Sequence, residues 1–177
     1  WLTLDEVADY LTVGFWQAFH GASGPFAFDP GPDGAITVDL TGLTGPGRAL
    51  ARAALEAWTG VTGLAFPETG PGAEIVFDDA GPGGFGGASR IVGQRIEAAQ
   101  VNVGEDVLAR FGTEIGGRSY FFFLHEIGHA LGLGHLAEQA DVVVVVAGTD
   151  RDLPLPLRLA EVAVGVEVGD VDPLPGH

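Results

Sequence analysis

The sequence contains no cysteine, no methionine and no lysine. Without cysteine, the chain has no disulfide, no thiolate zinc site and no cysteine nucleophile. All 8 basic residues are arginines, set against 24 acidic residues, so the formal net charge is −16. Such a charge repels nucleic-acid phosphates and anionic lipid headgroups. The composition therefore predicts a protein that binds neither nucleic acid nor a membrane.

Long apolar runs are also missing. The longest, Tyr120–Leu124 and Val142–Gly148, fall far short of the roughly 20 residues that a membrane-spanning helix needs. No targeting segment is expected within the sequence, because its first six residues include acidic side chains and no basic ones. Hydrophobic residues still make up 46% of the 177 positions, which is enough for a sizeable core. Nothing in the pattern requires more than a monomer.

Apolar residues at three- and four-residue steps predict helices. The first begins with a capping box at Thr3 and stops at Gly21, and the second begins near Thr44. Trp16 and Trp58 fall on the apolar faces of these helices and are expected in the core. Two further helices are predicted at Glu105–Phe111 and from about Ser119 to Gly132–Gly134.

Short apolar and alternating runs predict strands at Ala35–Leu40, Val61–Phe66, Ala73–Asp78 and Ala99–Val103. The glycine-rich stretch Asp79–Ala88 is predicted as a loop. Its run from Gly81 to Gly86 matches the dinucleotide-binding glycine pattern, but no helix is predicted to follow, so a flexible loop is the preferred interpretation.

The composition changes after His135. Residues 136–177 contain ten valines, five of them consecutive at Val142–Val146, and no aromatic residue. Alternating leucines and valines in this stretch favour β structure. We therefore divide the chain into a domain at residues 1–135 and a divergent Val-rich C-terminal segment at residues 136–177.

The stretch from His125 to His135, HEIGHALGLGH, contains the predicted metal ligands and the predicted catalytic residue. On a helix, His125 and His129 project from one face, roughly 5.4 Å apart along the axis, which suits two nitrogen ligands of one zinc ion. Gly132 allows a sharp reversal of the chain that would return His135 as the third ligand. Three imidazoles leave a fourth position open to water. The motif therefore predicts one catalytic Zn²⁺ on these three histidines.

Glu126 is the predicted catalytic residue. A helical position next to His125 turns its carboxylate away from the metal and toward a zinc-bound water, whose pKa zinc lowers from 15.7 to about 7. Glu126 would take a proton from this water as general base and pass it to the leaving amine. No Ser-His-Asp or Cys-His arrangement is found, which agrees with hydrolysis without a covalent intermediate. The extended zinc motif is that of the metzincin peptidases.

Several other segments also resemble the catalytic domain of the serralysin-like secreted bacterial metallopeptidases of the metzincin clan. They are Gly14-Phe15-Trp16, Ala51–Val61, Leu64-Ala65-Phe66, Glu74–Asp79 and Val101–Gly104. With the zinc motif, the resemblance covers about residues 3–135. It implies an α+β, zincin-like (metzincin) fold in which a mixed twisted sheet lies above a cleft and a long zinc-binding helix lies beneath it. It also implies a secreted, extracellular protein of bacterial origin.

The resemblance further implies that extended polypeptides bind along an exposed edge strand. In this sequence the edge would lie near Phe85–Ser89, and the substrate-binding residues would be Phe85, Gly86, Gly87 and Ala88. Backbone pairing with such a strand recognises polypeptide with little dependence on side chains. We therefore interpret the protein as a zinc-dependent endopeptidase that hydrolyses peptide bonds of extended polypeptides.

The sequence departs from this family after His135. The family has a methionine-containing turn and a tyrosine there, whereas this chain has no methionine, and its two tyrosines, Tyr10 and Tyr120, come earlier. The family's calcium-binding glycine–aspartate repeats are missing, and no Ca²⁺ ligand set is evident. The alternative interpretation is a catalytically weak or inactive zinc-binding relative, or a fragment, that binds peptides without cleaving them.

Overall fold

A five-stranded, mostly parallel sheet lies at the centre of the protein in a computed structural model, which describes residues 4–135. The strands are β1 (Ala27–Phe28), β2 (Val38–Gly42), β3 (Ile75–Asp78), β4 (Gly84–Val92) and β5 (Arg95–Val103). The order β1-β5-β3-β2 is parallel throughout, whereas β4 pairs antiparallel with β5. Within the described strands β4 has no second partner, so it forms an edge of the sheet.

Helices precede the sheet, connect its strands and follow it. They are α1 (Leu4–Asp9), α2 (Phe15–His20), α3 (Gly45–Thr62), α4 (Glu105–Phe111) and α5 (Arg118–Ala130). A five-residue π-helical turn, Tyr10–Gly14, joins α1 to α2. The predicted stop at Gly21 is confirmed, since this glycine ends α2 with a φ of 62°. The molecule is thus a mixed α/β structure with no helix, among those described, long and apolar enough to cross a membrane.

The core lies where α3 and α5 meet each other and the sheet. Trp58 of α3, Phe77 of β3 and Ile127 of α5 are all buried within it. The indole N–H of Trp58 donates a hydrogen bond of 3.2 Å to the carbonyl of Leu124, within α5. Gly128 faces the same indole, because a β-carbon at residue 128 would lie 3.3 Å from its ring. The core therefore fixes α5 through the contacts of Trp58 with Leu124 and Gly128.

One strand prediction and one loop prediction are wrong, for different reasons. Val61–Phe66 is not a strand: α3 continues to Thr62, whose hydroxyl donates to the carbonyl of Trp58, and only Ala65 forms an isolated bridge. A short apolar run at the end of a helix gives the same pattern as a strand.

The predicted loop Asp79–Ala88 is wrong from Gly84 onward, where β4 begins and pairs with β5. Glycine has low strand propensity, but hydrogen bonds to the neighbouring strand override it here. The predicted strand at Ala35–Leu40 begins later than expected, at Val38, and the strand at Ala99–Val103 begins earlier, at Arg95. Thr3 and the Val-rich segment at residues 136–177 lie outside the described residues.

Candidate metal centre

Helix α5 presents two histidines side by side. His125 and His129 are four residues apart, and their ring centroids are 4.4 Å apart. Their Nε2 atoms approach to 2.9 Å. Because one helical turn separates the two residues, both rings project from the same face of α5. The predicted pairing of the two imidazoles is therefore present in the structure.

The third histidine returns to this pair after a reversal of the chain. Gly132 has a φ of 107°, which a residue with a side chain rarely adopts, and a β-carbon there would collide with the carbonyl of Phe26. After this turn, the ring of His135 lies 4.1 Å from that of His129 and 5.6 Å from that of His125, centroid to centroid. The glycine thus brings the third imidazole to the other two.

The three imidazoles are positioned to bind one metal ion. One ring nitrogen from each of His125, His129 and His135 lies within 4.8 Å of the other two. Nitrogens on a tetrahedral zinc ion are roughly 3.3 Å apart, given Zn–N distances of about 2.0–2.1 Å, so small side-chain rotations would close the site. Along residues 4–135 no other histidine or carboxylate group clusters in this way. Three imidazoles suit zinc and also other transition metals.

A backbone hydrogen bond fixes the tautomer of His129. Its Nδ1 lies 2.8 Å from the carbonyl oxygen of Leu133. A carbonyl can only accept, so Nδ1 carries the proton and Nε2 keeps its lone pair. That lone pair points toward the other imidazoles. Histidine ligands of metals are commonly oriented in this way by a carbonyl or carboxylate on the other ring nitrogen.

Partial desolvation favours the neutral form of the three imidazoles. Desolvation, followed by the neighbouring imidazoles, lowers the pKa of His125 to about 3. Desolvation likewise lowers the pKa of His129 to about 4, against a rise from its bond to Leu133, and it lowers the pKa of His135 as well. A neutral imidazole has a free lone pair, and a protonated one cannot bind a metal. The three imidazoles can therefore bind a cation through their lone pairs at neutral pH.

Glu126 follows His125 in α5 and is buried, with 5% of its surface exposed. Burial raises the pKa of its carboxyl group to about 7. The carboxyl group faces the start of β4, because a β-carbon on Gly84 would lie 2.8 Å from Oε1 of Glu126 and 2.8 Å from the ring of Phe122. A carboxyl group with a pKa near neutrality can both accept and donate a proton at physiological pH.

The residues predicted to bind substrate all lie on the edge strand β4. Phe85, Gly86, Gly87 and Ala88 stand opposite residues 99–102 of β5. Gly86 touches the backbone of Glu126, whereas nothing lies within 4 Å of where a β-carbon of Gly87 would be. Phe85 is 45% exposed. The structure thus places this strand beside the helix that carries Glu126.

Sequence reasoning missed two groups near the site. Trp16, expected only as a core residue, donates a hydrogen bond of 2.8 Å from its indole Nε1 to the carbonyl of Gly132. Asn102 is fully buried, and its side-chain amide bonds to the backbone of Gly81 and Gly83, just before β4. Both contacts join segments that are separated in the chain, so no local sequence pattern predicts them.

Known proteins similar to this chain are found among solved structures. No protein-family model matches the chain, and no curated protein matches it. Solved structures do match, among them that of myroilysin, at 21% identity and a TM-score of 0.38 over 58% of this chain and 50% of that chain. The matched region spans half the length of that protein.

Proposed function

We propose that this protein is a zinc-dependent endopeptidase that hydrolyses extended polypeptides. One observation carries the proposal: one ring nitrogen from each of His125, His129 and His135 lies within 4.8 Å of the other two, and Glu126, the residue after His125, is buried. A metal site made only of neutral imidazoles keeps the full charge of the ion and leaves a position open. Such a site is typical of catalysis, whereas structural zinc sites are usually closed by a fourth protein ligand.

Each residue of the site has a distinct part in this proposal. The three histidines would hold the ion through ring nitrogens, and the Leu133 carbonyl orients His129. A zinc ion held there would supply Lewis-acid chemistry, polarising a carbonyl group and making a water more acidic. Glu126 would accept the proton of the attacking water on its carboxylate and then donate it to the leaving amine. Its raised pKa, about 7, suits both transfers.

The edge strand β4 is the proposed site for the polypeptide substrate. An extended peptide could add to its free edge through main-chain hydrogen bonds, along Phe85, Gly86, Gly87 and Ala88. Two of these residues are glycines, so few side chains stand between the strand and a peptide. The zincin-like (metzincin) fold, secretion from a bacterial cell and action as a monomer belong to the same proposal, and they rest on the sequence resemblance and composition.

A second candidate function is peptide binding without cleavage. It is favoured by the absence of methionine from the whole sequence and of tyrosine after Tyr120. The serralysin-like family that the sequence resembles has both residues after its third histidine: a methionine in a turn beneath the zinc and a tyrosine that can approach the metal. A protein without them could hold zinc and a peptide but turn over slowly.

The test is Glu126→Gln, which keeps the shape of the side chain and removes its basicity. We expect peptide cleavage to fall by about 10²–10⁴-fold, the usual contribution of a general base, with zinc content unchanged. Glu56→Gln, at an exposed position on α3, is the matched control and should cleave normally. Full activity of Glu126→Gln would contradict the proposed role. A wild-type protein that binds zinc but cleaves no peptide would select the second candidate.

A further inference from the structure

The N-terminal helical segment touches the turn between His129 and His135 at three points. The N–H of Gly134 donates a hydrogen bond of 2.7 Å to the carbonyl of Leu11. The indole N–H of Trp16 donates one of 2.8 Å to the carbonyl of Gly132. The ring of Phe15 packs so closely on Gly134 that a β-carbon there would overlap it. We call Leu11, Phe15 and Trp16 the N-terminal clamp.

His135 needs such support more than the other two histidines do. His125 and His129 are fixed by α5, whereas His135 follows the turn Gly132-Leu133-Gly134. Glycine has the largest conformational freedom of all residues, so ordering a turn that contains two glycines has a high entropic cost. Contacts from outside the turn must offset that cost. The clamp supplies two hydrogen bonds and an aromatic contact, and Phe15 also meets the ring of His135 edge-on, at 5.9 Å.

The π-helical turn Tyr10–Gly14 explains how the N-terminal segment contacts the turn Gly132-Leu133-Gly134 at several points. Leu11 lies within it, and Phe15 and Trp16 come directly after it. An extra residue in a helical turn rotates the next stretch of helix by roughly 100° relative to a continuous α-helix. The rotation sets which side chains of α2 face the metal centre. Such π turns occur frequently at functional sites.

We propose that Trp16 is a positioning residue for the metal centre, holding His135 in its binding position through the hydrogen bond to Gly132. The proposal rests on the metal site described above. Trp16 itself offers no ligand to a metal, because its indole nitrogen is a donor only. Trp16 affects the position of His135 through the backbone of the turn Gly132-Leu133-Gly134. Metal affinity should therefore depend on a side chain 116 residues away from Gly132 in the chain.

The test compares Trp16→Phe with Gln17→Ala. Trp16→Phe removes the indole donor and keeps an aromatic ring among Phe15 and Phe26, whereas Gln17 is exposed on the same helix and serves as control. We expect zinc affinity, measured by competition with a chromogenic chelator, to fall by about 10–100-fold in Trp16→Phe. The visible spectrum of bound Co²⁺ should shift toward that of His135→Ala. Gln17→Ala should match wild type in both measurements.

A second variant of the same residue keeps the test valid if Trp16→Phe fails to fold. Trp16→Leu also removes the indole donor and keeps an apolar side chain, and we expect a loss of zinc affinity in the same direction. Thermal unfolding of the metal-free proteins measures damage to the fold separately. Wild-type zinc affinity and an unchanged Co²⁺ spectrum in Trp16→Phe, or in Trp16→Leu if the first variant fails to fold, would overturn the proposal. A wild-type protein that binds no metal would overturn it too, whereas zinc binding without peptide cleavage would contradict only the proposed function.

Discussion

The backbone carbonyl of Glu126 lies directly against the α-carbon of Gly86. Helix α5 and the edge strand β4 thus touch at the candidate catalytic residue, with no side chain between them. Gly84 repeats the arrangement two residues earlier, facing the carboxyl group of Glu126. Successive residues of a strand point to opposite faces, so residues 84 and 86 share the face toward α5. Glycine at both positions sets how closely the strand approaches the helix.

Gly86→Ala tests this contact. The added methyl group would overlap the Glu126 carbonyl, which is backbone and cannot rotate away, so strand and helix must separate. We expect a loss of about 1–3 kcal/mol in the free energy of unfolding, the usual range for overpacking, together with weaker peptide cleavage. Gly87→Ala is the control, because open space surrounds that position on the same strand. Equal stability of the two variants in urea unfolding would contradict the contact.

Asn102→Ala tests the support of the turn before β4. The Asn102 amide accepts a hydrogen bond from the N–H of Gly81 and donates to the carbonyls of Gly81 and Gly83, at 2.9, 3.0 and 3.2 Å. Alanine removes this partner from the half-buried N–H and carbonyl of Gly81, whereas the Gly83 carbonyl keeps a hydrogen bond from the N–H of Gly104. We expect a loss of about 1–3 kcal/mol in the free energy of unfolding, measured in urea. Gln100→Ala, exposed on the same strand, should change stability little, and a similar result for both would show that the amide is dispensable.

Zinc should stabilise the folded protein. A ligand that binds only the folded state at a hundred times its dissociation constant adds about 2.7 kcal/mol, which raises the melting temperature of a domain this size by roughly 5–10 °C. His129→Ala should lose this increase, and Glu56→Gln should keep it, since Glu56 is exposed on α3 and outside the cluster. Calorimetry with and without zinc measures the effect. An equal zinc response in His129→Ala would assign the ion to another site.

Local features of the fold were predictable from the sequence. The bounds predicted for α4, Glu105–Phe111, are confirmed, and the apolar face of α3 is buried as its spacing indicates. The convergence of the three imidazoles was also predictable, because helical periodicity sets the first two and Gly132 the third. These features depend on residues within a few positions of one another, where the periods of helix and turn decide the geometry.

Features made by distant parts of the chain were not predictable in the same way. The start of β4 at Gly84 depends on pairing with β5, since a glycine-rich run carries no alternating pattern of its own. The hydrogen bond from Trp16 to Gly132 likewise joins two ends of the described chain. An aromatic residue on a helical period predicts burial but not its partner. The start of β4 and the hydrogen-bond partner of Trp16 are both set by tertiary contacts.

The proposed function depends on a single zinc ion held by His125, His129 and His135. The most direct test is metal analysis of the purified protein after incubation with zinc and removal of unbound metal by gel filtration, next to His129→Ala. We predict one zinc per chain in the wild type and none in the variant. A wild-type protein without zinc, or a variant that retains it in full, would contradict the metal site and the peptidase function that depends on it.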